Sequence, residues 1–307
     1  MRFAVMGAGA IGGYLAARLA AAGNDIACIA RGAHLEALRT RGLTLKSPLG
    51  DVTVPAIAAV ADPAALAPVD AVLFTVKLYD AADAARALLP LLAPDTPVIT
   101  FQNGVSGSEI AAAAVGTARA VAGSASIPGV AVTAPGVVEH ISTKARFVFG
   151  WSDGRADPML DRIAAIFRAA TIEADASRRI SSELWQKFVM LAATSGVATA
   201  ARTTIGALAG DPDVMALAGA AMREAEAVAR ARGIDLPADI VATGLASLAK
   251  LPPAQKPSML HDLEAGRRLE VAWLSGALVA MGRAAGVPTP THAALYALLK
   301  PHAAGRR

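Results

Sequence analysis

Six residues near the start of the chain restrict its fold more than any other feature: Gly7-Ala8-Gly9-Ala10-Ile11-Gly12. They fit G-x-G-x-x-G, a pattern that carries meaning only between a strand and a helix. That context is present. The apolar strand Phe3–Met6 precedes the pattern, a helix over Ile11–Ala22 stops at Gly23, and a second strand follows at Ile26–Ala30. In such a unit the first glycine permits the tight turn, the second lets a pyrophosphate approach the backbone, and the third lets helix and strand pack closely. The helix N-terminus offers free N–H groups and a partial positive charge to an anion. Gly7, Ala8, Gly9, Ala10, Ile11 and Gly12 are therefore read as the cradle of a dinucleotide. The competing reading is an incidental glycine-rich turn.

Alternation of strand and helix continues through the first half of the chain. A helix over His34–Arg41 ends at Gly42, a common stop residue. Leu43–Lys46 and Val52–Val54 flank a Pro-Leu-Gly-Asp turn as a hairpin. Ala71–Val76 is a buried strand, Asp80–Leu92 a helix and Val98–Phe101 another strand. This order implies a mostly parallel sheet covered by helices. Val121–Ser126, Val137–Ile141 and Phe147–Gly150 are separated by Pro-Gly turns and are expected to extend that sheet in antiparallel fashion. A helix over Asp157–Ala169 and a short strand Ile172–Ala174 follow, and from Ser177 only helical patterns remain. The expected fold class is α/β: a Rossmann-type dinucleotide-binding domain over residues 1–176, then an all-α domain over 177–307 for substrate and dimerisation. The tail after Pro301 is short and basic and is expected to be loose.

Composition narrows the function. The 307 residues are 54% apolar, 18% charged and only 4% aromatic, with a net charge of +4 and a pI near 9.5. No Lys/Arg cluster with interleaved aromatics accompanies the positive charge, so anionic small molecules are expected as partners and nucleic acid is not. Mean hydropathy is +0.46, but polar residues and glycines interrupt each apolar stretch, so no membrane span is expected. Cys28 is the only cysteine, which excludes an intrachain disulfide and fits a reducing cytoplasm. The first strand begins at the first residue, so no signal peptide is expected. The five histidines show no metal-like spacing; His34 is placed on a surface-type helix.

The end of the second strand separates NAD from NADP. An NAD site usually carries Asp or Glu there, accepting from the ribose 2′-hydroxyl. This chain has Arg31 followed by Gly32. A guanidinium matches a dianionic 2′-phosphate, so NADPH is expected; the alternative is a solvated arginine. Lys77 follows Ala71–Val76 at the carboxyl edge of the sheet, where open α/β sheets bind ligands. It serves equally well as a phosphate contact or as a surface lysine. Asn103 follows the next strand and has two readings, a donor to substrate or nicotinamide and a plain Asn-Gly turn.

Carbonyl reduction needs an acid beside the hydride donor. Between Arg179 and Arg202 the only charges are Glu183 and Lys187. Lys187 sits one turn from Leu184 and Leu191 in an apolar stripe, where a cation is costly without a task or partner. Glu183 and Lys187 also have the i, i+4 spacing of a surface ion pair. Glu270 is the second candidate. A helix starting at Ser258 would place it on the stripe Met259, Leu263, Gly266, Glu270, Leu274, Ala277, Met281. There it is either a buried carboxylate needing a partner or a stripe-edge residue paired with Arg267 or Arg268.

These segments together resemble the ketopantoate reductase (2-dehydropantoate 2-reductase) family. The resemblance covers nearly the whole chain: Met6–Gly13, Ala30-Arg31, Thr75-Val76-Lys77, Gln102–Val105, Glu183–Phe188, Ser258–Asp262 and the downstream Glu270. It implies NADPH-linked reduction of a 2-oxo acid to a 2-hydroxy acid, in the service of pantothenate and coenzyme A synthesis. It implies that Arg31 and Lys77 hold the 2′-phosphate and that Asn103 orients the substrate near the nicotinamide. By the same resemblance Lys187 is the general acid, Ser258 a contact of the substrate carboxylate, and Glu270 a partner of the substrate hydroxyl and of Lys187.

Pantoate-making members carry asparagines one and two turns after the lysine, where this chain has Leu191 and Ser195. An acid two residues after the glutamate is replaced by Ala272. A reductase of a less polar 2-oxo acid or ketone is therefore a second reading, and a non-catalytic NADPH-binding sensor a third. A homodimer is a further expectation, from the apolar helical second half.

Overall fold

The computed structural model describes residues 1–306. The chain divides into two compact units, Met1–Ile180 and Ser181–Arg307. In the first, chain order is β1 (Arg2–Met6), α1 (Ala10–Ala21), β2 (Asp25–Ile29), α2 (Gly32–Arg41), β3 (Leu43–Lys46), β4 (Val52–Val54), β5 (Ala58–Val60), β6 (Ala71–Phe74) and α3 (Leu78–Ala87). It continues with β7 (Val98–Thr100), α4 (Gly107–Val115), β8 (Ala120–Ser126), β9 (Val130–Ala134), β10 (Val137–His140), β11 (Arg146–Gly150), α5 (Pro158–Ala169) and β12 (Glu173–Ala176). The helix expected to reach Leu92 ends at Ala87. Pro90 follows in a 3-10 turn, since proline cannot donate to a continuing helix.

Eight strands form one sheet in the order β12-β11-β8-β7-β6-β1-β2-β5. All neighbours are parallel except β8 and β11. The central strands are near-continuous apolar runs because helices cover them on both sides. Their register positions the site: Met6 stands opposite both Ile29 and Phe74, and Phe74 opposite Thr100. Gly7, Arg31, Lys77 and Asn103 thus leave the sheet at one carboxyl edge. Beneath it Phe101, Phe147, Phe149 and Phe167 meet edge to face at centroid distances of 5.3–6.2 Å, a geometry that aligns ring edges with ring faces.

The expected antiparallel extension is right only for β11. β10 lies instead in a second, four-stranded sheet, β4-β3-β10-β9. The reason is that β8 has both edges occupied, by β7 and β11, so the β9–β10 hairpin must pair elsewhere and runs parallel to β3. α1 packs on this small sheet as well as on β1 and β2.

The second unit is helical: α6 (Ile180–Ala201), α7 (Ile205–Gly210), α8 (Pro212–Ala231), α9 (Ile240–Leu248), α10 (Ser258–Glu264), α11 (Ser275–Ala285) and α12 (Pro290–Leu299). Asp211 opens α8 by accepting from the N–H groups of Asp213 and Val214, the usual task of an N-cap aspartate. Glu224 on α8 accepts from the N–H groups of Thr291 and His292 at 2.7 and 2.9 Å, so a carboxylate meets the positive end of α12.

Two expectations fail here. The single helix from Ser258 to Met281 is broken. α10 stops at Glu264, Gly266 takes φ +66°, and α11 begins only at Ser275. The period-3.6 spacing of apolar residues across the break is produced by a turn packed on both sides. The tail is not loose through Arg306: Arg306 N–H donates to Gly266 O at 2.9 Å and Leu269 N–H to Ala303 O at 3.0 Å. Arg307 lies outside the described residues.

Candidate functional site

At the carboxyl edge of the large sheet a cleft of about 690 Å³ is lined by Gly7, Ala8, Gly9, Arg31, His34, Val76, Asp80, Asp83 and Val132–Pro135, among others. Its floor is the glycine-rich turn. Gly7 has φ +94°, a conformation that favours glycine, and its N–H donates to Ile29 O at 3.0 Å. A Cβ on Gly12 would stand 2.3 Å from Gly7 O and 2.5 Å from Thr75 Oγ1, so this glycine lets α1 sit against the strands. A Cβ on Gly9 would meet nothing within 4 Å; it would project into open space at the head of α1. No side chain caps that helix, which leaves its first N–H groups for a ligand. The turn therefore has the shape and donors that a pyrophosphate needs.

Arg31 closes β2, begins α2 and lines the cleft. Its side chain is largely exposed and reaches Asp80 Oδ2 at 2.8 Å. Lys77 sits at the start of α3, with β1 standing between its strand and that of Arg31. Asn103 follows β7, just before Gly104 at φ +100°. Neither Lys77 nor Asn103 is on the wall that Arg31 shares with the glycine turn. Gln102, beside Asn103, is buried and donates through Nε2 to Phe74 O at 2.9 Å, tying the β7 edge to β6.

Sequence reasoning missed part of this wall. His34 is half-buried and lines the cleft, so its helix is not the plain surface element expected. Its Nδ1 accepts from Gly136 N–H at 3.1 Å, which leaves the ring proton on Nε2. Burial lowers its pKa. Residues Val132–Pro135 come from the β9–β10 hairpin, which is non-adjacent in sequence and gave no periodic signal. Asp80 and Asp83 lie one turn apart on α3 and face the cleft because Leu78, Ala81 and Ala85 face the core.

In the second unit, Lys187 projects from α6 beside the buried Trp185 and Phe188. The rings of those two meet edge to face at 5.4 Å. Burial of its amino group lowers the Lys187 pKa to about 8, and the Glu270 carboxylate acts in the opposite direction. Glu270 is 5% exposed. It stands not on a helix but immediately before the turn that leads into α11. The structure thus brings these two candidates into electrostatic contact. Leu191 and Ser195 follow Lys187 along α6; Leu191 is half-buried and Ser195 is buried. Ser258 is the exposed first residue of α10, on the far side of the turn at Gly266 from Glu270. Among the described residues no group of three or more His, Cys, Asp or Glu could hold a metal ion. Among the described residues no helix is long and apolar enough to cross a membrane.

Comparison with known proteins agrees with this layout. The family model described as ketopantoate reductase PanE/ApbA matches residues 3–154, and that of its C-terminal region matches residues 179–303. The 2-dehydropantoate 2-reductase of Mesorhizobium japonicum is 34% identical, over 98% of this chain and 97% of its own. The crystal structure of a PanE/ApbA family ketopantoate reductase from Ralstonia eutropha JMP134 superposes with a TM-score of 0.90 at 33% identity, covering 98% of both chains. D-mandelate dehydrogenase has a TM-score of 0.89 at 19% identity over 98% of both chains, a likeness of fold alone. From its glycine turn to its final helix, the chain belongs to the ketopantoate reductase family of oxidoreductases.

Proposed function

We propose that this chain reduces 2-dehydropantoate to pantoate with NADPH, the first unit binding the dinucleotide and the second the 2-oxo acid. One observation carries the reading: a lysine whose pKa is lowered to about 8 by burial while a buried glutamate holds it up. A group of that pKa can give up a proton at neutral pH, which an ordinary lysine near 10.4 does reluctantly.

NADPH supplies the hydride when bound. The chain supplies the rest. The head of α1 holds the pyrophosphate through Gly7–Gly12. Arg31 exchanges its exposed pairing with Asp80 for a 2′-phosphate, a stronger bidentate partner, and Lys77 adds a second cation at the same sheet edge. Asn103 donates a hydrogen bond that orients the substrate. Lys187 holds a proton at Nζ for the carbonyl oxygen and stabilises the negative charge that develops there. Glu270 keeps Lys187 charged and accepts from the substrate hydroxyl, and Ser258 contacts the substrate carboxylate. The name borne by the Mesorhizobium relative supports this substrate. The product belongs to pantothenate synthesis. A lone, buried thiol, Cys28, is compatible with a reducing cytoplasm.

A second reading keeps the chemistry and changes the substrate. Leu191 and Ser195 stand where two asparagines would bind a polar substrate, so a less polar 2-oxo acid fits the same lysine. The test is NADPH oxidation by the purified protein with ketopantoate, beside a panel of aliphatic and aromatic 2-oxo acids, each repeated with NADH. Turnover confined to ketopantoate and favouring NADPH supports the first reading. Faster turnover of another acid moves the chain to the second. Tight NADPH binding with no turnover of any panel member leaves a sensor.

A further inference from the structure

We propose that the second unit carries an anion pocket for a small phosphate-bearing molecule, assembled by Arg202 and the docked C-terminal tail. A cavity of about 230 Å³ is walled by Arg202, Arg267, His302 and Arg306, with Glu264 the one carboxylate on its lining among the described residues. Every lining residue belongs to the second unit, so the pocket is a site distinct from the dinucleotide cleft. Glu264 is engaged at 2.7 Å by Lys256, and Arg267 is fixed at 2.7 Å by Asp262. Arg202 and Arg306 have no ion-pair partner among the described residues. Cations gathered on one concave wall repel one another until a polyanion joins them.

Two features show that the grouping is built into the fold. The first is how the tail is held. Arg306 N–H donates to Gly266 O at 2.9 Å, and the crossing is tight at both glycines. A Cβ on Gly266 would stand 3.0 Å from Arg306 Cγ and Cδ, and a Cβ on Gly305 2.7 Å from Gly266 O. This tight crossing sets Arg306 beside Arg267.

The second is Arg202 itself. Thr203 N–H donates to Ala198 O at 3.0 Å and Arg202 N–H to Thr199 O at 3.3 Å. That is the double bond pattern with which helices end on a left-handed residue, and the residue is usually glycine. Here it is arginine, at φ +53°. A Cβ in that conformation is strained, yet the strained position is the one that aims a guanidinium at the cavity wall. Strain kept at such a place points to a task. Planar guanidinium groups bind phosphoryl oxygens in pairs, and three of them with His302 suit a pyrophosphate-like anion in a cavity of this size.

The test uses the full chain with its dinucleotide cleft saturated by NADPH, and sodium pyrophosphate added at constant ionic strength, with thermal unfolding and isothermal titration as readouts. The expected result is a saturable isotherm and a Tm raised by several degrees or more. Arg202→Gly should raise the ligand-free Tm, because the left-handed strain is relieved. It should also weaken pyrophosphate binding about tenfold or more. Arg306→Ala should weaken binding likewise, and Arg31→Ala, in the dinucleotide cleft, should leave the isotherm unchanged. Three results overturn the proposal. One is a pyrophosphate effect no larger than that of sodium chloride at matched ionic strength. Another is unchanged binding in Arg202→Gly, and the third is binding lost in Arg31→Ala instead.

Discussion

The carboxylate of Glu270 raises the pKa of Lys187 against the larger, opposite effect of burial, and the balance stands at about 8. On the proposed mechanism reduction uses the protonated lysine, so kcat for the 2-oxo acid should be level below pH 8 and fall above it. Oxidation of the 2-hydroxy acid uses the neutral lysine and should rise through the same pH. In Glu270→Gln the raising influence is gone, so burial acts unopposed and both limbs should move to lower pH. A pH profile of kcat in each direction checks this. Limbs that stay in place in Glu270→Gln would separate the glutamate from the lysine's titration.

Lys187→Ala should lower kcat by about 10²–10⁴, the range of a lost general acid. The affinity for NADPH should remain within about twofold, since the dinucleotide is assigned to the glycine turn and Arg31. Stopped-flow reduction and fluorescence titration separate the two quantities. Turnover equal to that of the unaltered chain would return Lys187 to the role of a structural cation.

Two glycines of one motif should respond in opposite ways. Gly12→Ala places a methyl group 2.3 Å from a backbone carbonyl. The helix must shift, at a cost of about 1–3 kcal/mol. Gly9→Ala meets nothing within 4 Å and should change stability by less than about 0.5 kcal/mol, while weakening dinucleotide binding. Urea unfolding and cofactor titration on both variants test the contrast. Equal destabilisation by the two would mean that the open space at Gly9 is not reserved for a ligand.

Arg31→Ala should reduce NADPH affinity by about 1.5–3 kcal/mol, the worth of charged hydrogen bonds, and leave NADH affinity nearly unchanged. The exposed pair with Asp80 contributes little to the fold, so unfolding free energy should move by about 0.5 kcal/mol or less. Comparable losses for both dinucleotides would show that Arg31 does not read the 2′-phosphate.

What was legible in the sequence follows from how local its cause is. The strand, glycine turn and helix around Gly7–Gly12 are set by neighbours within a few residues, and the observed elements start and stop within one or two residues of the expected ones. The β9–β10 hairpin was misplaced because its partner, β3, lies some ninety residues earlier, and only the filled edges of β8 force that pairing. His34 joined the wall of the cleft unseen because Gly136, which fixes its ring, is 102 residues away. Glu270 was found for an incomplete reason. Its apolar setting was visible, but a helical period was read across Gly266, where the backbone turns left-handed. Periodicity detects burial, and it cannot tell one long helix from two short ones joined by a packed turn.

Leu191 lies one turn after Lys187 and is half-buried, so it can face a ligand on the lysine's side of α6. Replacing it with asparagine adds a donor and an acceptor where a polar 2-oxo acid has a hydroxyl to satisfy. Leu191→Asn should therefore raise kcat/KM for ketopantoate relative to an unbranched aliphatic 2-oxo acid, by up to about a hundredfold. Ser195 is only 2% exposed, so adding Ser195→Asn inserts extra atoms into a packed site and should cost about 1–3 kcal/mol of stability. The single variant is thus the cleaner measurement. A rise in the ketopantoate ratio assigns Leu191 to the substrate wall. An unchanged ratio places the choice of substrate elsewhere, with Ala272, beside the buried Val271 and two residues from Glu270, as the next position to vary.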